Sequence, residues 1–198
     1  MATRNQQNNP PLRKITDFKS KLTGGGARSN LFEVVLSFPT NAKPNNESAV
    51  LDKSRFLVKA ANMPASNIAP IDVPFRGRIL KVAGDRTFDT WSITVINDTD
   101  FIIRSAFEKW MNKINRLSDN TGLTNPSDYY SDAYVYQLDR NGDTLRSYHF
   151  YDLFPTQVSP IELSSDAQGI QEFSVEMQVL WWEAVKGQGS NSGGENIN

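Results

Sequence analysis

From Leu31 onward the chain alternates apolar and polar residues. Phe32, Val34, Leu36 and Phe38 fall on one side of an extended backbone, the period of a strand half-buried on a core, and Pro39 ends the run. Before it, residues 1–30 are rich in Asn, Gln, Pro and Gly. They are interrupted by a helical pattern from Lys14 to Leu22 whose Ile15, Phe18 and Leu22 share a face, and Gly24 to Gly26 stop it. The polar stretch Thr40 to Ser48 predicts a long exposed loop, followed by a second strand near Arg55 to Ala61. Between Met63 and Phe75, Pro64, Pro70 and Pro74 remove backbone donors, so Ile71 and Val73 belong to an edge strand or an extended arm. Arg78–Val82 and Thr87–Asn97 then read as a hairpin joined across Ala83-Gly84-Asp85-Arg86, with Gly84 supplying a positive φ.

Asp98 to Asp100 offer helix caps, and Ile103, Phe107, Trp110, Ile114 and Leu117 recur at helical spacing. These predict one amphipathic helix ending near Asn120 and Gly122. Strands over Asp132–Asp139 and Thr144–Tyr151 flank Asn141-Gly142, a strong hairpin signal, and a loop is expected from Pro155 to Pro160. Residues 172–181 alternate without a fault: Phe173, Val175, Met177, Val179 and Trp181 on one face, Glu172, Ser174, Glu176 and Gln178 on the other. The Gly, Ser and Asn tail 186–198 reads as disordered. These elements predict a mainly β protein, a β-sandwich or barrel of about seven antiparallel strands with one flanking helix. Its expected divisions are an N-terminal arm (1–30), a β domain (31–185) and the tail (186–198).

Composition removes most chemistry. The chain has no cysteine, which excludes disulfides and thiolate sites, and its single histidine, His149, cannot build a His-dependent triad or a multi-histidine metal site. With 21 basic and 22 acidic residues there is no global field to hold nucleic acid. No stretch is apolar enough to span a membrane, and the opening residues lack the apolar core of a secretory signal, which predicts folding in the cytoplasm. Asp139, Asn141 and Asp143 imitate the start of a calcium loop, but the glycine comes too early and Phe150 stands where the bidentate Glu belongs. Glu172 and Glu176 lack the second half of a glycosidase site. The glycosylation-like triplets at Asn46 and Asn97 read as accidental, and no phosphate-binding glycine loop of either standard spacing occurs. No catalytic, metal or cofactor site is expected.

One stretch is more specific. Val73-Pro74-Phe75-Arg76-Gly77-Arg78-Ile79-Leu80-Lys81-Val82-Ala83-Gly84-Asp85-Arg86-Thr87-Phe88-Asp89-Thr90-Trp91, with Thr94 to Asp98 after it, closely resembles the tail tube proteins of contractile-tailed bacteriophages. Asn30-Leu31-Phe32, Ala60 to Pro64, Phe107 to Trp110 and Phe154-Pro155-Thr156 extend the resemblance to roughly residues 29–183. It implies a structural virion protein whose hexameric rings, closed by a continuous inner β-barrel, stack into a hollow tube inside a sheath. The implied partners are other copies of the chain, the sheath protein, baseplate and terminator proteins, and double-stranded DNA in passage. Related folds build bacteriocin needles and type VI secretion tubes, and these remain alternatives, with a carbohydrate-binding sandwich using Glu172, Glu176, Trp181 and Trp182 a more distant one.

The residues suit a tube on physical grounds as well. An exposed apolar edge is a liability in a monomer that pairing with a neighbour removes, so Ile71, Val73, Phe75 and Arg86 are the expected subunit-interface arm. DNA slides best past a wall that is neutral to acidic, which makes Glu172, Ser174, Glu176 and Gln178 the expected lumen-facing set, with a solvated outer face as the alternative reading.

Overall fold

The computed structural model describes residues 14–166 and 168–185; the tail 186–198 and residues 1–13 of the N-terminal arm lie outside the described residues. The first described element is helix α1 (Ile15–Lys21), in the place its pattern predicts; Ile15 and Phe18 are exposed. Strand β1 (Phe32–Leu36) turns Val34 and Leu36 into the core, with Phe38 just beyond its end.

The stretch expected as a loop behaves differently. Thr40–Ala42 is a 3-10 turn that buries Ala42, and Asn46 caps helix α2 (Glu47–Leu57) by accepting a hydrogen bond from the Ala49 N–H. Val50, Ser54 and Leu57 share the buried side of α2, and Ser54 tolerates burial because its hydroxyl donates to the Leu51 carbonyl at 2.8 Å. That serine hides the helical period in the sequence. Two helices therefore pack on the core instead of one, and β2 shortens to Val58–Ala61.

The expected hairpin across Ala83–Arg86 is absent. Strand β3 (Ser66–Phe75) pairs instead with an unbroken β4 (Arg78–Phe88) across Arg76 and Gly77, whose φ values of 45° and 80° are the left-handed pair that a two-residue turn requires. Gly84 lies inside β4, opposite a register shift between Ile68 and Pro70. A β-carbon there would sit 2.6 Å from the Ala69 carbonyl oxygen, so this glycine serves close backbone approach at a bulge, not a positive φ.

Strand β5 (Trp91–Ile96) buries Trp91, Ile93 and Val95. Helix α3 (Ile102–Ile114) buries Ile103, Ala106, Phe107 and Trp110. It starts from Phe101, in a left-handed conformation (φ 51°), and not from an Asp cap: Asp98 and Asp100 instead hold Lys53. It also stops before Leu117, which is 93% exposed.

Strand β6 (Ser131–Leu138) and the 15-residue β7 (Thr144–Val158) form the hairpin expected around Asn141-Gly142. The Asp139 carboxylate accepts the N–H groups of Asn141 (2.7 Å) and Asp143 (2.9 Å), so it organises a turn and not an ion site. No loop opens at Pro155, because β7 runs through it and accommodates the missing donor at a bulge before Gln157. The last alternating run is two strands, β8 (Glu172–Gln178) and β9 (Trp181–Val185), parted at Val179 and Leu180.

Seven strands form one antiparallel sheet in the order β1-β6-β7-β8-β5-β2, with β9 added to β7, while β3 and β4 stand apart as a ribbon. The sheet turns a corner at Asp152 (φ 52°): the first half of β7 pairs with β6 and β9, the second with β8 and hence β5 and β2. The core lies between the two layers, where Trp91 stacks on Phe150 with centroids 4.4 Å apart.

Candidate assembly surfaces

The ribbon is exposed along almost its whole length. No residue of β3 is buried, and β4 is half-buried only at Gly84 and Phe88. Directly opposed residues in an antiparallel pair share a face. Val73↔Leu80 and Ile71↔Val82 therefore put four apolar side chains on one side, joined by Phe75 opposite Arg78. Phe75 is 66% exposed and Leu80 62%. The other side carries the Asp72–Lys81 ion pair at 2.8 Å between Pro70 and Pro74. The ribbon meets the body at its base, where Phe88 lies edge-on to Trp182 at 6.3 Å. Ile71, Val73 and Phe75 thus share one face, as period two predicts, and Arg86 sits past the bulge opposite Ile68. Leu80 and Val82 complete the face; a turn assigned at Gly84 hid them, and the Arg76-Gly77 pair was the signal for the true turn.

The outer side of the β7-β8-β5-β2 layer is polar. Glu172, Ser174 and Glu176 face Ile96, Thr94 and Ser92 of β5, Ala60 of β2 lies beyond Thr94, and Gln157 flanks Glu176. Gln178 continues the row, half-buried. Glu172 is neutralised by Lys59 at 2.7 Å, whereas Glu176 is exposed and pairs with no cation among the described residues.

The outer side of the other layer carries a ladder of rings. Tyr136, Tyr134, His149, Tyr151 and Trp181 follow one another at centroid distances of 6.1, 4.2, 3.7 and 3.9 Å. Successive rings lie stacked or tilted on one another, with Tyr136 and Trp181 at the two ends of the strip. Trp182 points the other way, toward Tyr148 and Phe150. The expectation that Trp181 points inward with Val179 fails, because β9 is a separate strand on which Trp181 is 38% exposed.

His149 is held by the Asp132 carboxylate at 3.0 Å and by rings on both sides, with no nucleophile beside it. Among the described residues no cluster of three His, Asp or Glu side chains could hold a metal. Tyr151 donates to Glu183 at 2.6 Å, and this bond, lost to a phenolate, pushes the phenol up to about 12. The folded pKa is raised, so the bond contributes fully below the ordinary tyrosine value of about 10 and is lost as pH climbs toward 12. Tyr151→Phe should show a shallower fall of stability than the parent between those pH values in alkaline denaturation. Identical slopes would remove this assignment.

The same fold occurs in contractile assemblies. A chain in the baseplate of the anti-feeding prophage superposes with a TM-score of 0.60 at 12% identity, covering 81% of this chain and 95% of that one. A chain in the sheath/tube terminator of the extracellular contractile injection system PVC gives 0.60 at 10% identity, covering 81% and 97%. These likenesses define the class of fold, a two-layer antiparallel β protein with helices packed on its core.

Sequence makes the class particular. The chain is 32% identical over 163 residues to the tail tube protein gp19 of Enterobacteria phage T4, covering 81% of this chain and 93% of that protein. It is 28% identical over 158 residues to the tail tube protein of Serratia phage KSP90, covering 77% and 86%. Residues 27–184 match the family described as phage tail tube protein, and the chain belongs to that family. Its members are structural proteins of the tail, not enzymes.

Proposed function

We propose that copies of this chain close into six-membered rings that stack into the hollow inner tube of a contractile tail. A sheath surrounds the tube, baseplate and terminator proteins bound it, and double-stranded DNA passes through it to the host. Assembly takes place in the host cytoplasm and the mature location is the virion tail. The observation that carries this reading is the ribbon, an element with one continuous apolar face that no other described residue of the chain covers. A repeating contact with the next copy covers that face and, being heterologous, generates rings and stacks.

The polar layer supports the same reading. Its small side chains, its neutralised Glu172 and its free Glu176 make a wall that does not hold phosphates, the property a DNA conduit needs. We assign Glu172, Ser174, Glu176 and Gln178 to the lumen; a tube structure that puts them outside ends that assignment.

Negative-stain electron microscopy of concentrated protein should show hollow rods or sixfold rings, and strictly monomeric particles at every concentration would count against the tube. Val73→Pro, in β3, and Arg86→Glu, in β4 near the base of the ribbon, should each suppress rods while circular dichroism stays that of the parent. Normal rods from both would defeat the interface role of the arm.

A further inference from the structure

The ribbon needs a receiving surface on the neighbouring copy, and two unmatched sets of charge on this chain identify one. The ribbon tip is Phe75-Arg76-Gly77-Arg78. The Arg76 guanidinium stacks over the Phe75 ring at 5.3 Å, and neither Arg76 nor Arg78 pairs with a carboxylate among the described residues. The ring ladder has the opposite surplus. Its two acids, Asp132 and Glu183, are held by neutral or weakly basic partners, His149 at 3.0 Å and the Tyr151 hydroxyl at 2.6 Å, and by no Lys or Arg among the described residues. Both remain accessible: the Asp132 side chain is 42% exposed, and Glu183 is exposed at the end of the ladder beside Trp181.

We propose that the ring ladder on the β6-β7-β9 face receives the ribbon tip of a second copy of this chain, Arg76 and Arg78 meeting Glu183 and Asp132 while Phe75 and Leu80 lie along the aromatic edges. This rests on the tube reading above and adds the identity of the acceptor.

The chemistry favours this occupant. Guanidinium groups combine bidentate pairing with carboxylates and stacking on aromatic rings, and the ladder offers both within one strip. Size agrees as well: a 10-residue strand extends about 33 Å, enough to carry the tip well beyond its own sheet. The base of the ribbon meets β9 through the Phe88–Trp182 contact, on the face of β9 opposite the ladder, so the tip reaches a ladder on another copy and not its own.

A charge swap tests it. Arg76→Glu with Arg78→Glu should raise the protein concentration needed for rods, measured by pelleting and electron microscopy, by at least about tenfold at roughly 0.1 M salt. Glu183→Arg alone should also impair assembly. Combining all three changes should bring the threshold at least about threefold below that of the double arginine variant, the remaining deficit coming from the second reversed arginine facing Asp132; such coupling is expected only of groups that meet. Circular dichroism identical to the parent keeps folding out of the comparison. Rods unaffected by the arginine reversals, or a triple variant no better than the double, overturn the acceptor while leaving the tube reading intact. Parent protein that never assembles defeats the tube reading and this inference with it.

Discussion

Replacing Trp91 with alanine should cost about 3–5 kcal/mol of stability, the largest single loss expected from a core residue of this chain. Trp91 is fully buried in β5, stacks on Phe150 from the opposite layer at 4.4 Å, and is paired across the sheet with the buried Met177. Its removal empties the seam between the two layers at a place where neither strand can collapse, since both are held by ladders on their other sides. The indole N–H has no partner among the described residues, so Trp91→Phe removes that buried donor along with the volume and should cost less than half as much as alanine. Urea denaturation measures both; a loss under about 1 kcal/mol for Trp91→Ala would mean that this seam does not hold the layers together.

Gly84→Val should act in the opposite manner, sparing the monomer and abolishing assembly. Its first side-chain carbon would stand 2.6 Å from the Ala69 carbonyl and 3.1 Å from Ile71 Cγ1, so the strands of the ribbon must part at the bulge. Because the ribbon packs on almost nothing, the monomer's unfolding free energy should change by less than about 1 kcal/mol. The apolar face, however, depends on the register that the bulge sets between β3 and β4. We expect the concentration threshold for rods to rise more than about a hundredfold, since the shape of the whole docking element changes at once. Rods at parental concentration from a folded Gly84→Val protein would show that the ribbon's shape is irrelevant to assembly.

Local patterns were legible wherever one residue type carried one meaning. Phe32 to Phe38 alternated cleanly and became a strand, Asn141-Gly142 made its turn, and the apolar row from Ile103 to Trp110 made its helix. Legibility failed where a signal had two physical causes. A glycine marks either a positive φ or a close approach: Gly77 has the first role, and Gly84, expected to have it, has the second. A serine on a helix's buried face blurs the period, as Ser54 does in α2. Proline in a strand is allowed at a bulge, and whether Pro155 sits at one depends on β8, twenty residues away.

The surfaces divide the same way. Ile71, Val73 and Phe75, or Glu172, Ser174 and Glu176, follow from alternation within one strand. Their neighbours Leu80, Val82, Thr94 and Ala60 come from pairing between strands, which no local pattern contains.

The corner in β7 has a mechanical meaning. Asp152 turns one backbone from the layer with the polar outer side into the layer with the aromatic one, and β8 and β9 turn beside it, with the Leu180 N–H donating to Tyr151 at 3.3 Å. A thrust applied to either layer is therefore carried round the bend by covalent bonds and ladder hydrogen bonds, while side-chain packing alone would let two separate sheets slip past one another. The subunit resists shear as a folded plate does, through its crease.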